Sequence, residues 1–166
     1  MSGPAPSWKA KGSEAAAVLA RWLLGGVFVY TGLNKAHRPD LFLTLTRQYN
    51  LVTNPYLLNV IAATLPWFEV FCGLLLLGGV AVRGAALMML GMLLFFTPLV
   101  LKRGLLLAAA HHLHLCLVKF DCGCGTGEVF VCNKMVENCV LMLLSAWLLT
   151  GRGRSLCARF SLWRTR

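Results

Sequence analysis

Residues 57–82 read LLNVIAATLPWFEVFCGLLLLGGVAV, a run of 26 residues with one charge, Glu69. A helix of about 20 apolar residues crosses a bilayer core of about 30 Å, so this stretch is long enough to span a membrane. Three others share its character. Residues 84–101 are 18 long with no charge, and residues 15–33 are 19 long with one, Arg21. Residues 129–150 are 22 long, with Lys134 and Glu137 near their start. Together the four stretches use up nearly all the apolar sequence. The expected fold class is all-α: a polytopic four-transmembrane-helix bundle forming one membrane domain over residues 1–166.

Composition points the same way. The 166 residues are 58% hydrophobic and 13% charged, with mean hydropathy +0.69. Soluble domains have about 45–50% apolar and about 25% charged residues, so composition argues against an ordinary water-soluble fold and excludes a disordered or collagen-like chain. No small-x-small cleavage pattern follows the first span, which reads as an uncleaved anchor. The net charge of +10 is concentrated in the tail 151–166, GRGRSLCARFSLWRTR. With both termini cytoplasmic, that side collects eight basic residues: Lys9, Lys11, Arg83, Arg152, Arg154, Arg159, Arg164 and Arg166. The opposite side collects six: Lys35, Arg38, Arg47, Lys102, Arg103 and Lys119. The positive-inside bias therefore favours N-in, C-in. The basic excess reads as topology and attraction to membrane lipid; no soluble domain remains to carry a nucleic-acid site.

Two segments lie between spans. Residues 34–56 begin with a turn at His37-Arg38-Pro39-Asp40. They then place Leu41, Phe42, Leu45 and Tyr49 opposite Thr44, Arg47 and Gln48, as a short interfacial helix does. Residues 104–118, GLLLAAAHHLHLCLV, allow two readings. Either the third helix runs on toward residue 118, or the chain bends at Arg103-Gly104.

Seven cysteines need placing. Cys122 and Cys124 sit in a glycine-rich loop, DCGCGTGE, which the chosen orientation puts on the exoplasmic, oxidising side. Thiols separated by one residue close only a small ring, which glycine's backbone freedom accommodates. Strained, exposed disulfides are the labile or catalytic ones, so a redox-active dithiol is expected; a permanent bridge or unpaired thiols are the alternatives. Cys132, near the start of the fourth span, and Cys116, just before the loop, are rival resolving thiols. Cys72 and Cys139 fall inside spans and read as small buried hydrophobes. Cys157 reads as a reduced cytoplasmic thiol.

Two further features carry chemistry. His111, His112 and His114, with Cys116, Cys122, Cys124 and Cys132, supply N and S donors for a metal, although the spacing matches no zinc-finger pattern. On one helix His111 and His114 would share a face, suiting a haem or a hydrogen bond to a quinone; the plainer reading is an interfacial histidine cluster. Glu69 stands mid-span, three residues after Pro66, which frees the carbonyl of Ala62. An intramembrane carboxylate needs a partner or a function. Arg21 and Lys134 are the candidate partners. The pair would tie helices together, or Glu69 would accept protons during thiol oxidation or quinone reduction.

The order of several short patterns is distinctive. Arg21, Gly25, Phe28, Gly32 and Lys35 are followed by Pro39, Phe42, Tyr49 and Pro55, and then by Leu65-Pro66-Trp67-x-Glu69-x3-Gly73. Arg103-Gly104 and Asp121-Cys122-Gly123-Cys124 complete the series. Over roughly residues 18–150 this series resembles the methylamine-utilisation protein MauE family, within the broader DoxX-like group. The resemblance implies a four-helix protein of the bacterial-type inner membrane that forms or handles disulfides in exported proteins beside a thioredoxin-like partner. For methylamine dehydrogenase the implied target is its disulfide-rich small subunit. It adds Lys35 to Glu69 and Arg21 as a supporting residue. Two departures stand out: Gly125-Thr126-Gly127 follows the cysteines in place of Phe-Gly, and residues 105–121 lengthen the segment before them.

The expected function is a thiol–disulfide relay of oxidoreductase type through Cys122 and Cys124, with Cys132 or Cys116 resolving. A quinone is a candidate electron acceptor. The alternatives are a metal- or haem-binding subunit, or a structural subunit, of a larger membrane complex.

Overall fold

A computed structural model describes residues 8–49, 54–123 and 127–150. Five α-helices carry the fold. α1 spans Trp8–His37, α2 Pro39–Gln48, α3 Pro55–Gly78, α4 Val82–His111 and α5 Val131–Leu149. α1, α3, α4 and α5 each contain a segment long and apolar enough to cross a membrane. Their outer faces expose Trp22, Phe71, Leu74, Leu87, Phe95 and Leu143. Apolar groups point outward where lipid replaces water as solvent, because neither face of such a helix is penalised for being oily.

Local chemistry sets the helix ends. Pro39 opens α2 and disfavours helical geometry at Arg38, whose φ of −130° ends α1. α2 buries Phe42 and Thr46 and lies over the bundle. Asn54 caps α3, its side-chain oxygen accepting the Tyr56 N–H at 2.9 Å, with Pro55 in the first helical position. Gly79 closes α3 at φ 69°, a left-handed conformation that glycine adopts without Cβ strain.

Two antiparallel pairs make the bundle. α1 meets α3 through glycines: a Cβ added at Gly25 would lie 2.9 Å from the Gly73 carbonyl oxygen, and one at Gly32 would lie 2.8 Å from that of Pro66. Gly25 and Gly32 are two turns apart and so share a face; small residues let the two backbones approach closely. α4 meets α5 where Gly104 faces Val131 and where Asn138 Nδ2 donates to Thr97 Oγ1 at 3.1 Å. Leu24, Phe28, Leu76, Met89, Leu93 and Leu148 are among the residues that fill the core.

Several expectations are corrected here. α1 runs to His37 instead of ending near residue 33, which brings Lys35 inside the helix. The third helix does not bend at Arg103-Gly104; it continues unbroken to His111, about 45 Å at 1.5 Å per residue. It stops well short of residue 118, because His112 turns to φ 51°. A 3-10 turn, Leu115–Leu117, follows. Next comes a small antiparallel hairpin, which the all-helical expectation omitted: β1, Lys119–Asp121, pairs with β2, Glu128–Phe130. Its strands of three residues are too short to show an alternating pattern in sequence. Val118, Phe120, Cys122 and Val131 form a second buried cluster with Val100 beneath it. The tail 151–166, with Cys157, lies outside the described residues.

Candidate functional site

The loop sequence DCGCGTGE leaves β1 and returns through β2, so the hairpin presents the Cys122 end of this loop to the bundle. Cys122 is 6% exposed and is disulfide-bonded; Cys124 lies outside the described residues. Gly123 adopts φ 74°, and its N–H donates to the Asp121 carboxylate at 2.9 Å. A Cβ there would lie 3.6 Å from Leu45, so the turn rests directly on α2. The Tyr49 hydroxyl, at the end of α2, donates to the Cys122 carbonyl at 3.0 Å. Burial pushes the Tyr49 phenol up to about 12; Arg103 lowers it and Asp121 raises it further. It therefore remains a neutral donor at physiological pH. Arg103 reaches across from α4, donating to the Gln48 carbonyl at 3.1 Å and to its side-chain oxygen, with its guanidinium 5.7 Å from the Tyr49 ring.

A second disulfide lies beside the loop. Cys116 and Cys132, expected as rivals for one role, are bonded to each other and tie the 3-10 turn to the first turn of α5. Cys116 is exposed and Cys132 half-buried. Cys72 and Cys139 are free thiols. Cys72 is packed in the core, whereas Cys139 faces outward, correcting the expectation that it is buried.

The partner of Glu69 is Lys35, not Arg21 or Lys134. Lys35 Nζ donates to both carboxylate oxygens, at 2.6 and 2.8 Å, and the side chains are only 10% and 6% exposed. The glycine seam explains the choice. Because Gly32 lies against Pro66 and Val70, Glu69 is level with the stretch before Gly32. Helical side chains lean toward the N-terminus, so Lys35 leans back to this level. Arg21 stands about 12 Å further along the helix axis at 1.5 Å per residue and leans away. It is almost fully buried at the other end of the bundle. Lys134 pairs instead with Glu137, one turn on, at 2.9 Å; Lys134 is 5% exposed and Glu137 47%.

Both ion pairs border one chamber of about 90 Å³. Its apolar wall includes Phe28, Met92, Leu93, Phe96 and Leu141, and α2 closes it with Phe42 and Thr46. Cys122 and Gly123 complete the lining. The chamber thus places a disulfide-bonded cysteine at the edge of a mostly apolar space bordered by two lysines and two carboxylates. Sequence reasoning missed Tyr49 and Arg103 as supports for the loop and Glu137 as a partner. The sequence marked the first two as members of the motif series, with Tyr49 also on one face of the short helix and Arg103 at a candidate bend, and neither as a support for the loop.

The histidines do not join this site. The helix ends at His111, so His111 and His114 do not share a helical face, and His111, His112 and His114 are all exposed. Among the described residues no three His, Cys, Asp or Glu side chains gather as metal ligands. Three of the cysteines that the metal alternative offered as donors, Cys116, Cys122 and Cys132, are disulfide-bonded, and a disulfide lacks the thiolate donor that binds zinc.

Fold and site define a multi-pass membrane protein: a four-helix bundle whose interior chamber lies beneath a disulfide-bearing loop. The family model of the methylamine utilisation protein MauE matches residues 13–151. The chain belongs to that family, and is accordingly a membrane protein related to methylamine utilisation. No curated protein and no solved structure matches it.

Proposed function

We propose that this protein is a membrane thiol–disulfide relay that supports disulfide formation in exported proteins. The observation that carries the reading is the pairing of two disulfide-bonded sites at one end of the bundle: Cys122 against the chamber and the accessible Cys116–Cys132 bond beside it.

In the proposed reaction Cys122 and Cys124 form the loop disulfide. A thiolate of an exported thioredoxin-like partner attacks one of its sulfurs, the S–S bond breaks, and the other sulfur leaves as a thiolate. The partner's second thiol then resolves the mixed disulfide, so the partner is oxidised and the loop reduced. Cys116 and Cys132 form the second station, exchanging with the loop through the same chemistry. Glu69 and Lys35 support the bundle beside the loop, and Arg21 supports its opposite end. The substrate class is an exported, disulfide-rich protein of the kind represented by the methylamine dehydrogenase small subunit. The orientation that suits this role has both termini cytoplasmic in a bacterial-type inner membrane, with the loop on the oxidising side. The basic tail supports it.

Acid trapping of cells followed by alkylation tests the relay. The expected result is that Cys122 and Cys124 are largely protected from alkylation until reductant is added. Finding both fully reduced in oxidising cells defeats the reading. Labelling with a membrane-impermeant thiol reagent after reduction checks the orientation, because only an exoplasmic loop reacts.

A further inference from the structure

A relay that delivers disulfides is left with a dithiol, and its reoxidation releases two electrons and two protons. We infer that the chamber beneath Cys122 binds the head group of a quinone-class, lipid-soluble electron acceptor; this rests on the relay reading for its chemistry, though not for its geometry.

Three observations support this ligand class. Phe28, Phe42 and Phe96 come from α1, α2 and α4, and give the chamber an aromatic wall suited to a flat ring. Lys35 and Lys134, both nearly buried, border the same space. An ammonium has three donors. Among the described residues Lys35 uses two of its donors on Glu69, and Lys134 uses one on Glu137, so each retains a donor for a quinone carbonyl. Finally, Cys122 lines the chamber itself, which puts the redox centre beside the acceptor. A site for a lipid acyl chain would need only the apolar wall. Burying the Lys35–Glu69 pair and the Lys134 ammonium against it is costly, and a ligand with polar atoms at the ring edge accounts for them.

The reaction balances. Two S–H bonds break and one S–S bond forms between Cys122 and Cys124; two electrons pass to the quinone, and two protons end on its oxygens to give the quinol. Glu69 and Glu137 are placed to hold a proton in transit, each beside a lysine and at the chamber wall.

The test uses the purified full-length chain in quinone-free phospholipid nanodiscs. A decyl benzoquinone and a short-chain naphthoquinone are the probes, with decylbenzene as the apolar control. Titration calorimetry is expected to show saturable binding of a quinone and none of decylbenzene. Binding should persist when Cys122 and Cys124 are both changed to Ser, since recognition does not use the thiols. Lys134→Met is expected to weaken binding by about tenfold, the loss of one charge-assisted hydrogen bond. Glu137 is half exposed and can hydrate when unpaired, so this variant keeps its fold. Met92→Trp, which adds bulk to the apolar wall of the chamber, should weaken binding at least as much.

In the anaerobically reduced native chain, one quinol should appear for each loop disulfide formed. Failure of both quinones to bind better than decylbenzene overturns the inference, and exchange of the loop with a dithiol peptide in the same sample would leave the relay standing. Quinone binding without loss of thiols overturns the electron transfer to the quinone, and the peptide exchange again decides the relay separately. Equal binding by Met92→Trp and native protein shows the quinone to be elsewhere and also overturns the site.

Discussion

The two sides of α1 are built in opposite ways. Toward α3 it presents Gly25 and Gly32, and the backbones approach so closely that an added Cβ would lie under 3 Å from a carbonyl oxygen. Toward α5 the contact is much sparser, and the chamber occupies the space between them. A close seam on one side holds the helix pair at a fixed level and sets Lys35 against Glu69. The looser side provides a volume that four helices, α2 and the loop enclose together. Rigidity and vacancy thus lie on opposite faces of one helix, and the ion pair stands where they meet.

The largest disturbance of this contrast is expected from Glu69→Leu. It strands the Lys35 ammonium in a nearly buried site, a change worth about 3–5 kcal/mol. Denaturation in detergent, followed by circular dichroism, should show that loss. The double variant with Lys35→Met should recover most of it, because both charges are then gone. A smaller effect, about 1–3 kcal/mol, is expected from Gly73→Ala. Its new methyl group would meet Val29 and the Gly25 carbonyl oxygen at 2.7 and 2.8 Å. Gly26→Ala, which meets nothing within 4 Å, is the matched control and should leave the melting curve unchanged or slightly raised, since alanine favours the helix.

Tyr49→Phe is the mildest test, because it touches only the cover of the looser side. Loss of its bond to the Cys122 carbonyl is expected to cost about 1 kcal/mol and to speed alkylation of the reduced loop. The same contact has a pH signature. The phenol is raised from 10 to about 12 in the folded protein, so folding favours its protonated form. Its contribution is complete below pH 10 and fades as the pH rises through about 12. Loop alkylation in the native chain should therefore approach the Tyr49→Phe rate only across that alkaline range.

The spans, the short helix α2 and the Cys-Gly-Cys loop were legible because each depends on local composition or short spacing. Glu69 was legible as a residue in need of a partner, since one carboxylate in 26 apolar residues is conspicuous. Its partner was not. Lys35 stands two positions past the apolar run, where composition alone ends the span, yet the helix continues through it to His37. The Cys116–Cys132 bond escaped for a related reason. The two cysteines belong to different elements, and only the hairpin between them brings the 3-10 turn back to the start of α5.

By itself the sequence determined that this chain is a four-span membrane protein with a Cys-Gly-Cys loop. Apolar length and glycine spacing are properties of contiguous residues, and the order of its motifs already resembled MauE. Only the tertiary structure decided which charges pair, which cysteines bond and that Cys122 faces a chamber. The hairpin decides the cysteine pairing, and the Lys35–Glu69 pair depends on the level at which the antiparallel helices α1 and α3 meet. That level is set by backbone contact at Gly25, Gly32 and Gly73, a relation between residues distant along the chain.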